Sequence, residues 1–204
     1  MTSPSVDTPL VLHPEAQELL FRQARTANTF SEEPVSDEQI EAIYELMKWA
    51  PTAANTQPLR IVIVRSEAAK RRLVPLMDEG NRAKTESAPV TAILAADTRF
   101  HEHWDRLLPF KAGGGAVFEK APEAAEAMSR FNGTLQAGYF LLAVRAAGLA
   151  AGPMAGFDKA AVEAEFFSGQ ALRPLLVVNV GRPGADAWFE RLPRLEHHEV
   201  VTTL

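Results

Sequence analysis

Residues 131–158 read FNGTLQAGYFLLAVRAAGLAAGPMAGFD. Over 135–151 this stretch is apolar almost all the way round, interrupted only by Gln136, Arg145 and glycines. That pattern predicts a helix buried on several sides. A domain of this size can wrap only part of such a helix, so a second subunit is a natural cover for the rest. Gly148 and Gly152 are expected to stop the helix, and residues 152–156, Gly-Pro-Met-Ala-Gly, to form a tight loop poor in side chains. The loop has a plain reading as a helix C-cap with a proline just beyond it. It also has a functional one: small residues let a flat aromatic ligand with polar edges approach bare backbone groups closely.

The 204 residues carry 26 acids against 21 bases, a net charge of −5, and no cysteine. One large domain over residues 1–204 is expected at this length. The acidic balance argues against a general grip on nucleic acid. Without cysteine, disulfides, thiolate catalysis and Cys-based metal sites are excluded, and a reducing, cytoplasmic setting fits. Residues 1–12 read as a loose tail lacking the features of a signal peptide. The most apolar segment is broken by Gln136, Arg145 and glycines and is followed by Pro153, so no membrane span is expected. The pairs His197-His198 and His101/His103 lack acids at ligand spacing, and no metal site is assigned.

Working outward, residues 13–22 predict a first helix, followed by the polar run Arg25-Thr26-Ala27-Asn28-Thr29-Phe30, which can hold an anion or simply connect. Ser36 with Gln39 forms a capping box, and Val35 with Ile40 a hydrophobic staple, so a helix starts there and ends before Pro51. Residues 51–58, Pro-Thr-Ala-Ala-Asn-Thr-Gln-Pro, make a rigid turn whose Asn55 and Gln57 amides match the alternating donors and acceptors of a heterocycle edge. Strands are predicted at 59–64, 89–96 and 172–181. Between the first two lies a helical segment interrupted near Pro75, after which Asn81 and Lys84 share one face. A short helix is expected from Asp158. Residues 98–128 are the least legible, a candidate lid insertion. Their Gly113-Gly114-Gly115 run does not make a dinucleotide fingerprint. Without regular alternation of strand and helix, the pattern points to an α+β fold, a mixed sheet covered by helices.

In order and spacing these pieces resemble the FMN-dependent nitroreductase family, and within it the malonic semialdehyde reductases. The resemblance rests on the Arg25-to-Phe30 run, Pro51-Thr52-x-x-Asn55-x-Gln57-Pro58, Asn81-x-x-Lys84, Asn132, Pro153-x-x-Gly156-Phe157-Asp158 and Arg191-Leu192-Pro193. It implies a nitroreductase-like fold and a homodimer with two FMN sites at the interface, each built from both chains. Arg25, Thr26, Asn28, Lys84 and Arg191 would surround the ribityl phosphate and flavin edge, and Asn81 the pyrimidine ring. Pro51, Thr52, Ala53, Asn55 and Asn132 would come from the other subunit. Pro153, Met154 and Gly156 would lie against the isoalloxazine face. The sequence departs from the family where a basic residue is usual, at Ala24, Asn28 and Phe189, and at Ala155, where an acid is common. The implied activity is NAD(P)H oxidation by ping-pong hydride transfer through FMN to a small aldehyde, malonic semialdehyde among them, or to a nitro or quinone acceptor. A flavin carrier or sensor without turnover is the alternative, and a dimeric scaffold a third.

Overall fold

A computed structural model describes residues 10–204. The predicted tail at 1–12 therefore lies mostly outside the described residues; Leu10, Val11 and Leu12 are exposed.

The first helix is split into α1 (Pro14–Gln17) and a wider-wound turn over Glu18–Arg22. Helix α2 (Asp37–Met47) starts at the predicted capping box: the Ser36 hydroxyl accepts from the Gln39 N–H, and the Gln39 side chain accepts from the Ser36 N–H. Strand β1 (Leu59–Val64) leads to α3 (Glu67–Leu73), a short turn over Val74–Leu76, α4 (Glu79–Ser87) and strand β2 (Val90–Asp97). The insertion contains α5 (Trp104–Leu107) and α6 (Ala116–Glu119). Then come α7 (Pro122–Ala146), β3 (Ala150–Met154), α8 (Lys159–Phe166), β4 (Leu172–Gly181) and a last turn, α9 (His197–Val200).

The sheet order is β1-β2-β4-β3, and every pairing in it is antiparallel, where a mixed sheet was expected. Two sequence expectations change with it. Residues 150–154, placed in the helix end and a loop, are an edge strand paired with β4. Proline is compatible with this because an edge strand leaves one row of backbone groups unpaired. The central helix begins at Pro122, well before residue 135, and ends at Ala146, with Gly148 at φ +73 just beyond as the left-handed cap.

The central strands are buried on both faces. Val90, Ala92 and Leu94 of β2 and Val178 and Val180 of β4 pack with Ile43, Met47, Phe140 and Val144 of α2 and α7. Ile93, Ala95 and Val177 pack on the opposite face with Leu73, Met77, Phe157 and Val162. This two-sided burial explains why both strands read as unbroken apolar runs. Helix α7 crosses all four strands. A Cβ on Gly133 would lie 3.0 Å from Leu175 Cδ1 and 3.2 Å from Ala96 Cβ, so the glycine lets the helix settle on the sheet where β4 is irregular.

Helix α7 is not enclosed on every side within the chain: Phe131, Leu135 and Tyr139 are exposed and open space surrounds Gly138. Among the described residues no helix is long and apolar enough to cross a membrane.

Candidate functional site

The free edge of β3 does not stay open. The Ala27 N–H donates to the Ala151 carbonyl at 3.0 Å, and the Asn28 N–H to the Ala187 carbonyl at 3.0 Å, pinning the polar run 25–30 between β3 and the C-terminal segment. Gly152 permits this approach, since a Cβ there would stand 2.6 Å from the Ala27 carbonyl oxygen. Ala27 and Phe30 then pack with Ala150 and Ala187 in a small core of their own. The predicted loop glycine thus serves close backbone packing at the site's base.

Above this base, Arg25, Thr26, Asn28 and Arg191 line one cleft of about 280 Å³ together with Arg194. Arg25 lies 5.4 Å from the centroid of the Trp188 ring and donates to the Phe189 carbonyl at 3.1 Å, which ties the run to the tail. Helix α4 closes the side. Lys84 Nζ donates to Asn28 Oδ1 at 3.5 Å, and one turn earlier Asn81 Nδ2 donates to the Gly156 carbonyl at 2.9 Å. Gly156 also accepts from the Asp78 N–H at 3.1 Å, and a Cβ on it would fall 2.5 Å from Asp78 Oδ2. Pro153 lines an adjoining cleft with Arg25 and Thr26. Met154 is different: its side chain is buried in the core, with Sδ 3.9 Å from Thr85 Oγ1, so only its backbone is available to a ligand.

Beneath these residues lies a buried polar cluster that the sequence did not disclose. Thr91 Oγ1 donates to Asn179 Oδ1 at 2.8 Å, and Asn179 Nδ2 donates to Thr85 Oγ1 at 3.4 Å. It joins β2 and β4 to α4 and so fixes the helix that carries Asn81 and Lys84. Polar residues in apolar strands, Thr91 in 89–96 and Asn179 in 172–181, were the available signals.

Pro51, Thr52, Ala53 and Asn55 sit elsewhere, at the start of β1. Because β1 and β3 are opposite edges of a four-stranded sheet, three strand spacings of roughly 4.8 Å separate them, about 14 Å in all. Ala54, Asn55 and Gln57 all have positive φ (51°, 52° and 43°), a conformation non-glycine residues hold only when their surroundings enforce it. Asn132 and Gln136, one turn apart on α7, supply part of that enforcement: Asn132 Oδ1 accepts from the Ala53 N–H at 2.7 Å, and Gln136 Oε1 from the Leu59 N–H at 3.0 Å. The polar breaks in the apolar helix are therefore anchors for the turn. Asn132 is wholly buried and its Nδ2 donates to the Met128 carbonyl, so within the chain it holds the turn. Asn55 is likewise engaged, with Nδ2 donating to the Leu107 carbonyl at 2.9 Å and Oδ1 accepting from Gln57 Nε2 at 2.7 Å. Within the chain Asn55 thus latches the turn onto the insertion.

Truncating Asn132→Ala strips the Ala53 N–H and leaves a hole in α7. A loss of about 1–3 kcal/mol is expected for such a buried partner. In a chain of this length that lowers Tm by roughly 2–4 °C per kcal/mol. Thermal unfolding followed by circular dichroism checks it, and an unchanged Tm would contradict the anchoring role.

The insertion is organised around Trp104, whose Nε1 donates to the Lys111 carbonyl at 2.8 Å. A Cβ on Gly114 or Gly115 would press on its ring, so those glycines serve Trp104 packing. Phe100 and Phe118 meet at 5.0 Å below it. Next to the turn, a cavity of about 420 Å³ is lined by Lys48, Gln57, Arg60, His103, Arg106 and Gln136, among others.

Sequence and structural comparison agree with this architecture. Residues 21–182 match the model of the nitroreductase family. A Streptomyces coelicolor protein provisionally named as an NADH dehydrogenase/NAD(P)H nitroreductase is 57% identical over 196 residues, covering 96% of this chain and 99% of that protein. The fold resembles that of a Bacillus subtilis nitroreductase, ydfN (TM-score 0.83, 21% identity, 94% of this chain and 100% of the other). It also resembles that of an Exiguobacterium sibiricum nitroreductase solved in complex with FMN (TM-score 0.78, 18% identity, 94% and 98%). The chain belongs to the nitroreductase family, and its α+β architecture is that of the family's solved members.

Proposed function

We propose that the protein is a homodimeric, FMN-dependent NAD(P)H oxidoreductase whose two sites are each built from both chains. The observation that carries this is the separation of the two groups of expected site residues. Arg25, Thr26, Asn28, Asn81, Lys84, Pro153, Gly156 and Arg191 gather at the β3 edge, while Pro51, Thr52 and Ala53 stand at the β1 edge. A second copy can bring the turn of one chain to the β3 edge of the other, so that one flavin touches both groups. The open apolar face of α7 supports the same assembly, as do the exposed Phe189, Leu192 and Leu195 of the C-terminal segment. The relatives' names and the FMN in the Exiguobacterium neighbour support the cofactor and reductant.

The residues at the β3 edge fit the group. Arg25, Arg191 and Lys84 have no carboxylate partner among the described residues, as a phosphate site requires. The side-chain-poor segment from Gly152 to Gly156 leaves a flat face beside them. When bound, FMN supplies the hydride-accepting and hydride-donating chemistry. The chain's residues bind and orient: the arginines fix the phosphate, the α4 helix holds Gly156 through Asn81, and the pinned turn at 51–58 covers the ring from the partner. No acidic or nucleophilic side chain is required. The insertion at 98–128, latched to the turn through Asn55, limits access of water and acceptor.

For the acceptor, the cavity beside the turn supports a small, negatively charged aldehyde such as malonic semialdehyde. Lys48 is paired with Glu45 and Arg60 with Asp97, whereas Arg106 has no carboxylate partner among the described residues and stays free for the acceptor's. Nitro and quinone acceptors remain within the same chemistry. The test is absorbance under anaerobic conditions. Purified protein should be yellow, bleach with NADH or NADPH, and regain colour when malonic semialdehyde is added. Yellow protein that no nicotinamide bleaches would make it a carrier, and protein that cannot be loaded with FMN would end the proposal.

A further inference from the structure

Helix α4 brings Asn81 and Lys84 to the site, yet it has no apolar face to hold it there. Over 79–87 it reads EGNRAKTES, and Thr85 is the residue it buries. A short helix normally owes its place to an apolar stripe packed on the core. Polar contacts stand in for that stripe here. Those at the two ends of the helix are partly open to water: Asn81 Nδ2 to the Gly156 carbonyl and Arg82 Nε to the Met77 carbonyl at 2.9 Å, and at the other end Lys70 Nζ to the carbonyls of Glu86 and Ala88.

Thr85 instead enters a network closed to solvent. Thr85, Thr91 and Asn179 are wholly buried and Met154 nearly so. In the sheet Asn179 of β4 stands opposite Thr91 of β2 on one side and Gly152 of β3 on the other. Its amide nitrogen has two donors, shared between Thr85 Oγ1 and Met154 Sδ, the latter at 3.9 Å, while its oxygen takes the Thr91 hydroxyl. The Thr85 hydroxyl turns to the same sulfur at 3.9 Å. Every donor in the network therefore has an acceptor, although Met154 lies in an apolar cluster with Ile93 and Val177. Such a network is rigid when complete and costly when a member is missing.

Building on the flavin reading proposed above, we infer that Thr85 and Asn179 are positioning residues for the flavin ring. They touch no ligand. One amide group ties α4, with Asn81 and Lys84, to Met154 and so to the backbone that continues to Gly156. The residues expected at the ring's edge and those expected at its face thus share one buried anchor. Binding groups hold their geometry only when hydrogen bonds behind them lock it, and α4, lacking apolar packing, depends on this lock more than an amphipathic helix would.

The experiment compares Thr85→Val, which keeps the shape and deletes the hydroxyl, with Thr85→Ser, which keeps the hydroxyl. Ile93→Val, which loosens the same face of the sheet without touching the network, is the control. Apo-protein is titrated with FMN and with riboflavin, and amide hydrogen exchange is followed over 79–87. Thr85→Val should weaken both flavins alike by about tenfold and speed exchange in α4 by a similar factor, whereas Thr85→Ser should restore most of both. Equal loss of riboflavin separates this role from a contact with the phosphate. Ile93→Val should lower Tm and leave flavin affinity and α4 exchange unchanged. Flavin affinity that survives Thr85→Val, or that Ile93→Val lowers as much, overturns the positioning role. Should the wild type bind neither flavin, the flavin reading falls on its own and the anchor is judged by exchange in the apo-protein. Faster exchange in Thr85→Val that Thr85→Ser reverses supports it, and unchanged exchange overturns it.

Discussion

Leu135→Glu is expected to give a colourless monomer. Leu135 is 41% exposed in the single chain and lies on the open face of α7 with Phe131 and Tyr139, so a carboxylate there meets water and leaves the chain's own core intact. Across a twofold interface the same carboxylate would face the apolar surface of the partner. An unpaired charge buried in that way costs roughly 3–5 kcal/mol, and a symmetric dimer carries the lesion twice. Loss of the partner also removes Pro51, Thr52 and Ala53 from each site, so flavin should leave with it. Light scattering together with the flavin absorbance band reads both effects. A monomer that retains flavin, or a dimer as tight as wild type, would contradict the two-chain arrangement.

The second large effect concerns the phosphate. Arg25 and Arg191 line the same cleft and each reaches across to the other's segment, Arg25 to the Phe189 carbonyl and Arg191 to the Ala24 carbonyl. Removing either takes away a charge-assisted hydrogen bond of about 1.5–3 kcal/mol, which is roughly a tenfold to hundredfold weakening of FMN. Arg25→Ala should be the more damaging, because it also releases the contact with Trp188 that orders the C-terminal segment. Riboflavin affinity should be nearly unchanged in Arg191→Ala. Equal loss of both flavins in that variant would mean that the site had been distorted, not discharged.

Much of this was visible in the sequence, and the exceptions have physical causes. Strands β2 and β4 are buried on both faces, so their apolar runs were unmistakable, and the Ser36 box marked α2 by chemistry local to a few residues. Strand β3 was hidden because Ala-Ala-Gly-Pro-Met has the composition of a breaker. It is a strand only because β4 pairs with one side and Ala27 donates to Ala151 on the other, contacts set by tertiary structure. The early start of α7 was missed because residues 122–130 are polar and alanine-rich, with no apolar stripe to announce them. Sequence spacing singled out Asn132 and Asn55 by motif but not their contacts within the chain, where Asn132 holds the turn at 51–58 and Asn55 ties it to the insertion. Conversely, Gln136 was noticed only as a blemish in an apolar helix, and the structure gives it the Leu59 N–H to satisfy.

The division of each flavin site between two chains can be tested by complementation. Arg25→Ala/Arg191→Ala damages the β3 edge and leaves the turn intact. Ala53→Glu places a charge at an exposed position of the turn and leaves the β3 edge intact. Neither variant alone should hold flavin tightly. Mixed as unfolded chains and refolded together, they should form heterodimers in which one site receives both lesions and the other receives neither, so flavin and NAD(P)H-dependent bleaching return at about one site per heterodimer. If each site lay within a single chain, every site would carry a lesion and the mixture would stay as colourless as its parents.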